Sequence, residues 1–437
     1  MNHPILRWLW LGVGALAIAG FFAIILVAAR TPQLAMFTQL FSVGLVIHVD
    51  LSVLVWFLCI GCLGWTALLV KHAQAWPYWL GGGFFTVAVS TALIALSPLD
   101  SHWDVIKSNY IPVLNNLPFI AGLGVLAAGV AVLLVPTLSI TFSPRKRKLL
   151  NNEENIFADA AFTTALALAA FFLSGHLLET GLPPEQRFEQ LFWAGGHILQ
   201  FTFTLLMMAG CVALSEALEL KPLSRTLVRI ASFICVGAAI MSALGFVKHP
   251  FDTADFSYYQ TRIMIELGGT GAGLLAVVLV WRLFYAPNLA RATRAYTSTL
   301  VASLVLFGAG GVLGLMITGQ NVTIPAHYHG AIVGITLALM GYAYALLPRY
   351  GYASVAHTRL AFWQPIVYGI GQLMHIGGLA YSGGYGVLRK TPAGEMAHMA
   401  PDVKAALGFM GMGGLLAIIG GILFVVVMVR ALKNKHS

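Results

Sequence analysis

Residues 41–70 read FSVGLVIHVDLSVLVWFLCIGCLGWTALLV, and this stretch decides the fold. It runs for thirty residues without a lysine, arginine or glutamate. About twenty apolar residues suffice for a helix to cross a hydrocarbon core of about 30 Å. In lipid, only helices and closed β-barrels satisfy their own backbone hydrogen bonds. A barrel strand would show about ten residues of alternating character, not one continuous apolar run, so the stretch predicts a membrane-spanning helix.

Eleven further runs of the same kind lie on either side of it, giving spans at 8–29, 41–70, 77–97, 113–141, 158–179, 190–218, 227–248, 260–281, 297–318, 325–347, 361–383 and 405–430. Their boundaries fall at charge and turn residues such as Arg30-Thr31-Pro32, Ser97-Pro98, Pro183-Pro184, Pro250 and Pro348-Arg349. Composition agrees. Apolar residues make up 59% of the 437-residue chain and charged residues 9%, against about 25% charged in ordinary soluble proteins. Such a chain cannot cover itself in polar side chains, and its solvent is lipid. The expected fold is all-α: a polytopic membrane protein of about twelve transmembrane helices, one domain over residues 1–437. The longest loop, 384–404, is too short to fold alone. The first run follows Arg7 and lacks a small-residue cleavage site, so it reads as a retained helix.

The net charge of +9 does not point to nucleic acid, because the positive residues sit in short loops. Placed on alternate sides of twelve spans, 17 of the 25 lysines and arginines share the side of both termini, including the run Arg145-Lys146-Arg147-Lys148. The positive-inside rule puts that side, and both termini, in the cytoplasm, as expected for a multi-pass protein of a bacterial-type inner membrane. Cys59, Cys62, Cys211 and Cys235 all fall inside apolar segments, where packing is the expected role. No CxxCH occurs to attach a haem covalently.

The histidines carry the chemistry. With this topology His48, His197, His249, His327 and His329 fall on four helices, all in the outer third of the membrane. Ionisable groups are costly in lipid and tend to serve function there, and neutral imidazole ligates buried iron and copper. In His327-Tyr328-His329 the two imidazoles are two residues apart, about 200° around a helix. They therefore point from opposite sides of one helix, and each can hold a different flat cofactor. Gly330 follows and would leave room for a macrocycle edge.

At Ala326-His327-Tyr328-His329-Gly330 and Trp193-Ala194-Gly195-Gly196-His197 the chain resembles the catalytic subunit of the haem–copper oxidase superfamily. Its look is closest to the C-family oxidases and nitric oxide reductases, and the likeness covers nearly the whole chain. The resemblance implies two haems. His48 and His329 would be the axial ligands of a low-spin haem, and His327 the proximal ligand of a high-spin haem. His197 would be the first ligand of a second metal, iron or copper. Arg389-Lys390 resembles the basic pair that anchors haem propionates, although a solvated pair of loop charges reads the same way.

Two departures from the family pattern stand out. Where most members carry adjacent histidines this chain has Lys248-His249-Pro250-Phe251-Asp252, with one histidine. Asp252 or Glu266 would then supply an oxygen ligand alongside His249, which suits iron better than copper, or the second metal is absent. Glu266 also reads as a proton relay or as a satisfied polar residue. The second departure concerns the redox-active tyrosine: four residues after His197 stands Phe201, and Tyr258 and Tyr259 lie just past the seventh span.

The function implied is a terminal respiratory oxidoreductase reducing oxygen or nitric oxide with electrons from a cytochrome c-type subunit or a quinol. The alternative is a di-haem membrane cytochrome that relays electrons or senses a gas. A transporter would show inverted repeats and broken midplane helices, and neither is visible in the sequence.

Overall fold

The computed structural model describes residues 3–29, 40–72, 77–100, 103–286, 293–319, 321–385 and 400–433. Twelve long helices account for nearly all of them. They are α1 (Pro4–Ala29), α2 (Phe41–His72), α3 (Pro77–Leu96), α4 (Leu117–Thr141), α5 (Asn152–Leu177) and α6 (Pro184–Ala217). The rest are α7 (Arg225–Lys248), α8 (Ala254–Phe284), α9 (Arg294–Leu315), α10 (Thr323–Arg349), α11 (Arg359–Gly384) and α12 (Pro401–Lys433). Among the described residues, eleven of the twelve are long and apolar enough to cross a membrane. The exception, α11, carries Gln364, Gln372 and His375 along its length, which lowers its hydropathy without shortening it.

The helices start and stop where capping chemistry places them. α5 begins six residues ahead of the hydropathy estimate, because Asn151 and Glu154 form a reciprocal capping box. α4 begins four residues later than expected, at an Asn116 cap followed by Pro118. The residues ahead of it form a two-stranded antiparallel hairpin, β1 (Val105–Ile106) with β2 (Val113–Leu114), where the sequence predicts loop and then helix. Strands of two residues carry no periodicity for a sequence to show.

The chain divides into two compact units. The first holds Met1–Phe22, Ser42–Val212 and Leu223–Val278; the second holds Ala23–Phe41, Ala213–Pro222 and Leu279–Ser437. Within each, helices meet at small residues and are tied by buried hydroxyl bonds. Lipid supplies no hydrophobic force between helices, so close backbone approach and hydrogen bonds replace it. In the first unit Gly122 and Gly129 of α4 lie against Ile94 and Val87 of α3, and Ser90 Oγ donates to Gly122 O at 2.7 Å. Thr163 of α5 and Thr202 of α6 share a hydrogen bond of 2.8 Å. In the second unit Gly310 of α9 meets Gly330 of α10, and Ser303 Oγ donates to Gly334 O at 2.7 Å. Gly371 and Gly378 of α11 abut Gly413 and Met410 of α12.

All four cysteines are buried and unbridged, which fits packing.

Candidate haem and metal site

In the second unit α10 presents His327 and His329 to different neighbours, as their two-residue spacing requires. His327 turns to α9, where its Nδ1–H donates to Gly310 O at 2.7 Å. Gly314 makes that position available: a Cβ there would lie 2.6 Å from His327 Nδ1. His329 turns towards α11, with its ring centroid 5.0 Å from that of His375. Its Nδ1–H donates to Pro325 O, one turn back on its own helix, at 2.7 Å. Gly330 does something other than the sequence suggests. It fits against the backbone of Gly310, so its missing side chain lets two helices touch instead of leaving room for a macrocycle.

In the first unit His48 lies about two turns into α2, half-buried, and its Nδ1–H donates to Ala19 O of α1 at 2.9 Å. His197 is 2% exposed, and its Nδ1–H donates to Trp193 O at 2.8 Å. α6 starts at Pro184, six residues earlier than expected, so His197 lies thirteen residues in instead of about two turns.

A common rule governs all four histidines. A carbonyl oxygen accepts and never donates, so each Nδ1 carries the proton and each Nε2 carries a lone pair. That is the tautomer a metal-ligating imidazole needs, fixed by a bond from its other nitrogen. His48, His327 and His329 are half-buried, and their Nδ1–H bonds to carbonyls give a donor chemistry that fits haem iron.

The Nε2 of His197 accepts a hydrogen bond from the Tyr110 hydroxyl at 2.8 Å.

The remaining expected site residues stand apart from this pattern. His249 follows the last turn of α7, and its ring leans on Tyr259 with centroids 5.0 Å apart. Asp252 is exposed in the turn before α8, with a left-handed φ of 63° that aspartate tolerates. Partial burial and the Glu179 carboxylate push its acid above the ordinary value. Glu266 pairs with Arg262 one turn away on the surface of α8, both side chains being 53% exposed. Among the described residues, no three histidine, cysteine, aspartate or glutamate side chains gather in a metal-binding group. Phe201 is buried, the Tyr258 hydroxyl bonds Arg262, and the Tyr259 hydroxyl donates to Met241 O at 3.1 Å. Arg389 and Lys390 lie outside the described residues.

The family model for cytochrome c and quinol oxidase polypeptide I matches residues 3–423. The chain belongs to this family. Over 96% of its length it is 32% identical to an uncharacterised protein of Rickettsia prowazekii, covering 94% of that protein. It is also 25% identical to an uncharacterised protein of Aquifex aeolicus, over 79% of this chain and 85% of the other. Oxidase polypeptides of this kind are multi-pass membrane proteins that ordinarily bind haems and a second metal. Here the donor chemistry of His48, His327 and His329 fits the haems. The donors for a second metal do not fit: the Nε2 of His197 is engaged, His249 leans on a tyrosine, and Glu266 is held by an arginine.

Three residues with no place in the sequence reading belong beside this site. His375 sits 46 residues after His329, and its Nδ1–H donates to Met410 O at 3.0 Å. At about 1.5 Å rise per residue it lies about 13 Å from the end of α11, much as His329 lies about 9 Å from the start of α10. Comparing those depths would have paired them. Asp50 is 1% exposed, opens a π-helical stretch (Asp50–Val55) of α2, and has an Oδ2 with no hydrogen-bond partner. In the sequence it stands as the single charged residue of an apolar run. Tyr110 is 87 residues from His197, and no spacing rule joins positions so far apart.

Proposed function

We propose that the chain is the haem-bearing subunit of a membrane-bound terminal oxidoreductase that reduces a diatomic gas, oxygen or nitric oxide. The observation that supports it most is the set of Nδ1–H to carbonyl bonds on His48, His327 and His329, which readies each Nε2 as an iron ligand. His48 and His329 would together hold one haem, whose iron would relay electrons. His327 would hold a second haem, whose iron would bind the gas. When bound, haem iron would supply the one-electron steps. The backbone acceptors Ala19, Gly310 and Pro325 keep the imidazoles in the ligating tautomer.

Electrons would enter from a cytochrome c-type subunit or a quinol. The membrane would be a bacterial-type inner membrane, with both termini cytoplasmic as the charge asymmetry favours. A second reading, a di-haem cytochrome for electron transfer or gas sensing, draws support from the Tyr110 bond to His197.

Gas consumption by the purified chain tests the first reading, with reduced cytochrome c and then quinol as donor. Consumption of oxygen or nitric oxide that disappears in His327→Ala is the expected result. A chain that carries both haems yet consumes neither gas with either donor belongs to the second reading.

A further inference from the structure

The hairpin between α3 and α4 is tied down at both ends. Asn115 Nδ2 donates to Asp104 Oδ2 at 2.8 Å across its base, and Asn116 Nδ2 donates to Ser97 O at 3.1 Å. At its tip Glu189 of α6 accepts from the backbone N–H of Asn109 at 2.9 Å and also from the Asn109 side-chain amide. Ser108 closes the turn through a hydroxyl bond to Ile111 O. These bonds deliver Tyr110 to α6, where its ring lies 4.7 Å from the His197 ring and 5.7 Å from that of Trp193. Gly196 provides the seat, since a Cβ there would overlap the Tyr110 ring. His197 Nδ1 donates to Trp193 O, so its Nε2 accepts and the Tyr110 hydroxyl donates.

We infer that His197 is not a metal ligand in this protein: its free lone pair belongs to Tyr110, and a clamped phenol–imidazole pair stands where the family holds a second metal. The pair is confined to the first unit, and its parts depend on one another. A metal at Nε2 would displace the hydroxyl, and a displaced Tyr110 would strain a hairpin held by Glu189 and Ser97. His249, which follows the last turn of α7, has its ring tilted against that of Tyr259. The site thereby takes no copper or non-haem iron, and redox chemistry in this chain rests on haem alone. The inference rests on the proposed function only in counting His48, His327 and His329 as the haem ligands.

The test uses the full-length protein purified in detergent, before and after incubation with copper(II) or iron(II) and desalting. Copper and non-haem iron are measured by elemental analysis against the haem content from the pyridine haemochromogen. Metals at background, or a metal that persists unchanged in His197→Ala, is the expected result. One non-haem metal per chain that is lost in His197→Ala would overturn the inference. Loss in both His197→Ala and Tyr110→Phe would overturn it too, making the two residues co-ligands.

Infrared spectra with labelled tyrosine supply a second readout. One C–O band of a phenol donating to nitrogen should vanish in Tyr110→Phe and shift in His197→Gln. The losses in thermal midpoint for Tyr110→Phe and His197→Ala should not add in the double variant, because both changes remove the same hydrogen bond. An unchanged band, or additive losses, contradicts the pair. A wrong haem count would undo the proposed function and leave these two readouts standing. If His197→Ala does not fold, the metal content of the wild type and Tyr110→Phe still decides.

Discussion

Gly314 has no side chain because the His327 ring stands where one would go. A leucine there must push the imidazole off Gly310 O, at a cost of about 1–3 kcal/mol for overpacking. Gly314→Leu is therefore expected to lose the haem on His327 and keep the low-spin haem, read from the visible spectrum of the reduced protein. An unchanged high-spin signal would contradict the role given to His327. At this scale the sequence showed a good part of the site. Histidines two apart on a helix must diverge, and His327 and His329 do, towards α9 and α11. His48 is visible as a lone histidine in a long apolar run. Asp50 is in the same run as its single charged residue, and the structure adds its burial and unpartnered oxygen. Tyr110 escapes because contact between a loop and a helix 87 residues on is a product of folding.

At the scale of elements, twelve apolar runs became twelve helices because run length and lipid thickness leave the chain little choice. What hydropathy misplaced was governed by polar residues: the Asn151 box that lengthens α5 and the Asn116 cap that delays α4. The same polar ends carry stability. Arg147 Nη2 reaches Asp159 Oδ1 at 2.5 Å and its Nη1 donates to Asn155 O at 3.0 Å, while Ser232 Oγ of α7 donates to Asp159 Oδ2 at 2.7 Å. Both charged side chains are largely buried, 14% and 8% exposed. Breaking a buried pair costs about 3–5 kcal/mol, and the surviving Ser232 bond brings the expected loss for Arg147→Ala to about 2 kcal/mol. Adding Asp159→Asn should recover much of it. Denaturation in detergent measures both, and a loss within about 0.5 kcal/mol, the range of an ordinary surface change, would show that the pair contributes nothing.

At the scale of the molecule, the family match extends over residues 3–423, so the helical architecture as a whole is the family's. His197, His249 and Glu266, the candidate donors for a second metal, are each engaged by a neighbour of their own. The single histidine after Lys248 is legible in the sequence, whereas the tyrosine on His197 is not. His48 and His329, to which the proposed function gives the electron-relay haem, each hold their Nδ1 proton on a backbone carbonyl.

Haem content and ligation of the purified chain test that account most directly. The pyridine haemochromogen and the reduced-minus-oxidised spectrum should give two haems per chain, one low-spin and one high-spin, with the low-spin signal absent from His329→Ala. A chain without haem, or a low-spin signal that survives His329→Ala, would contradict it.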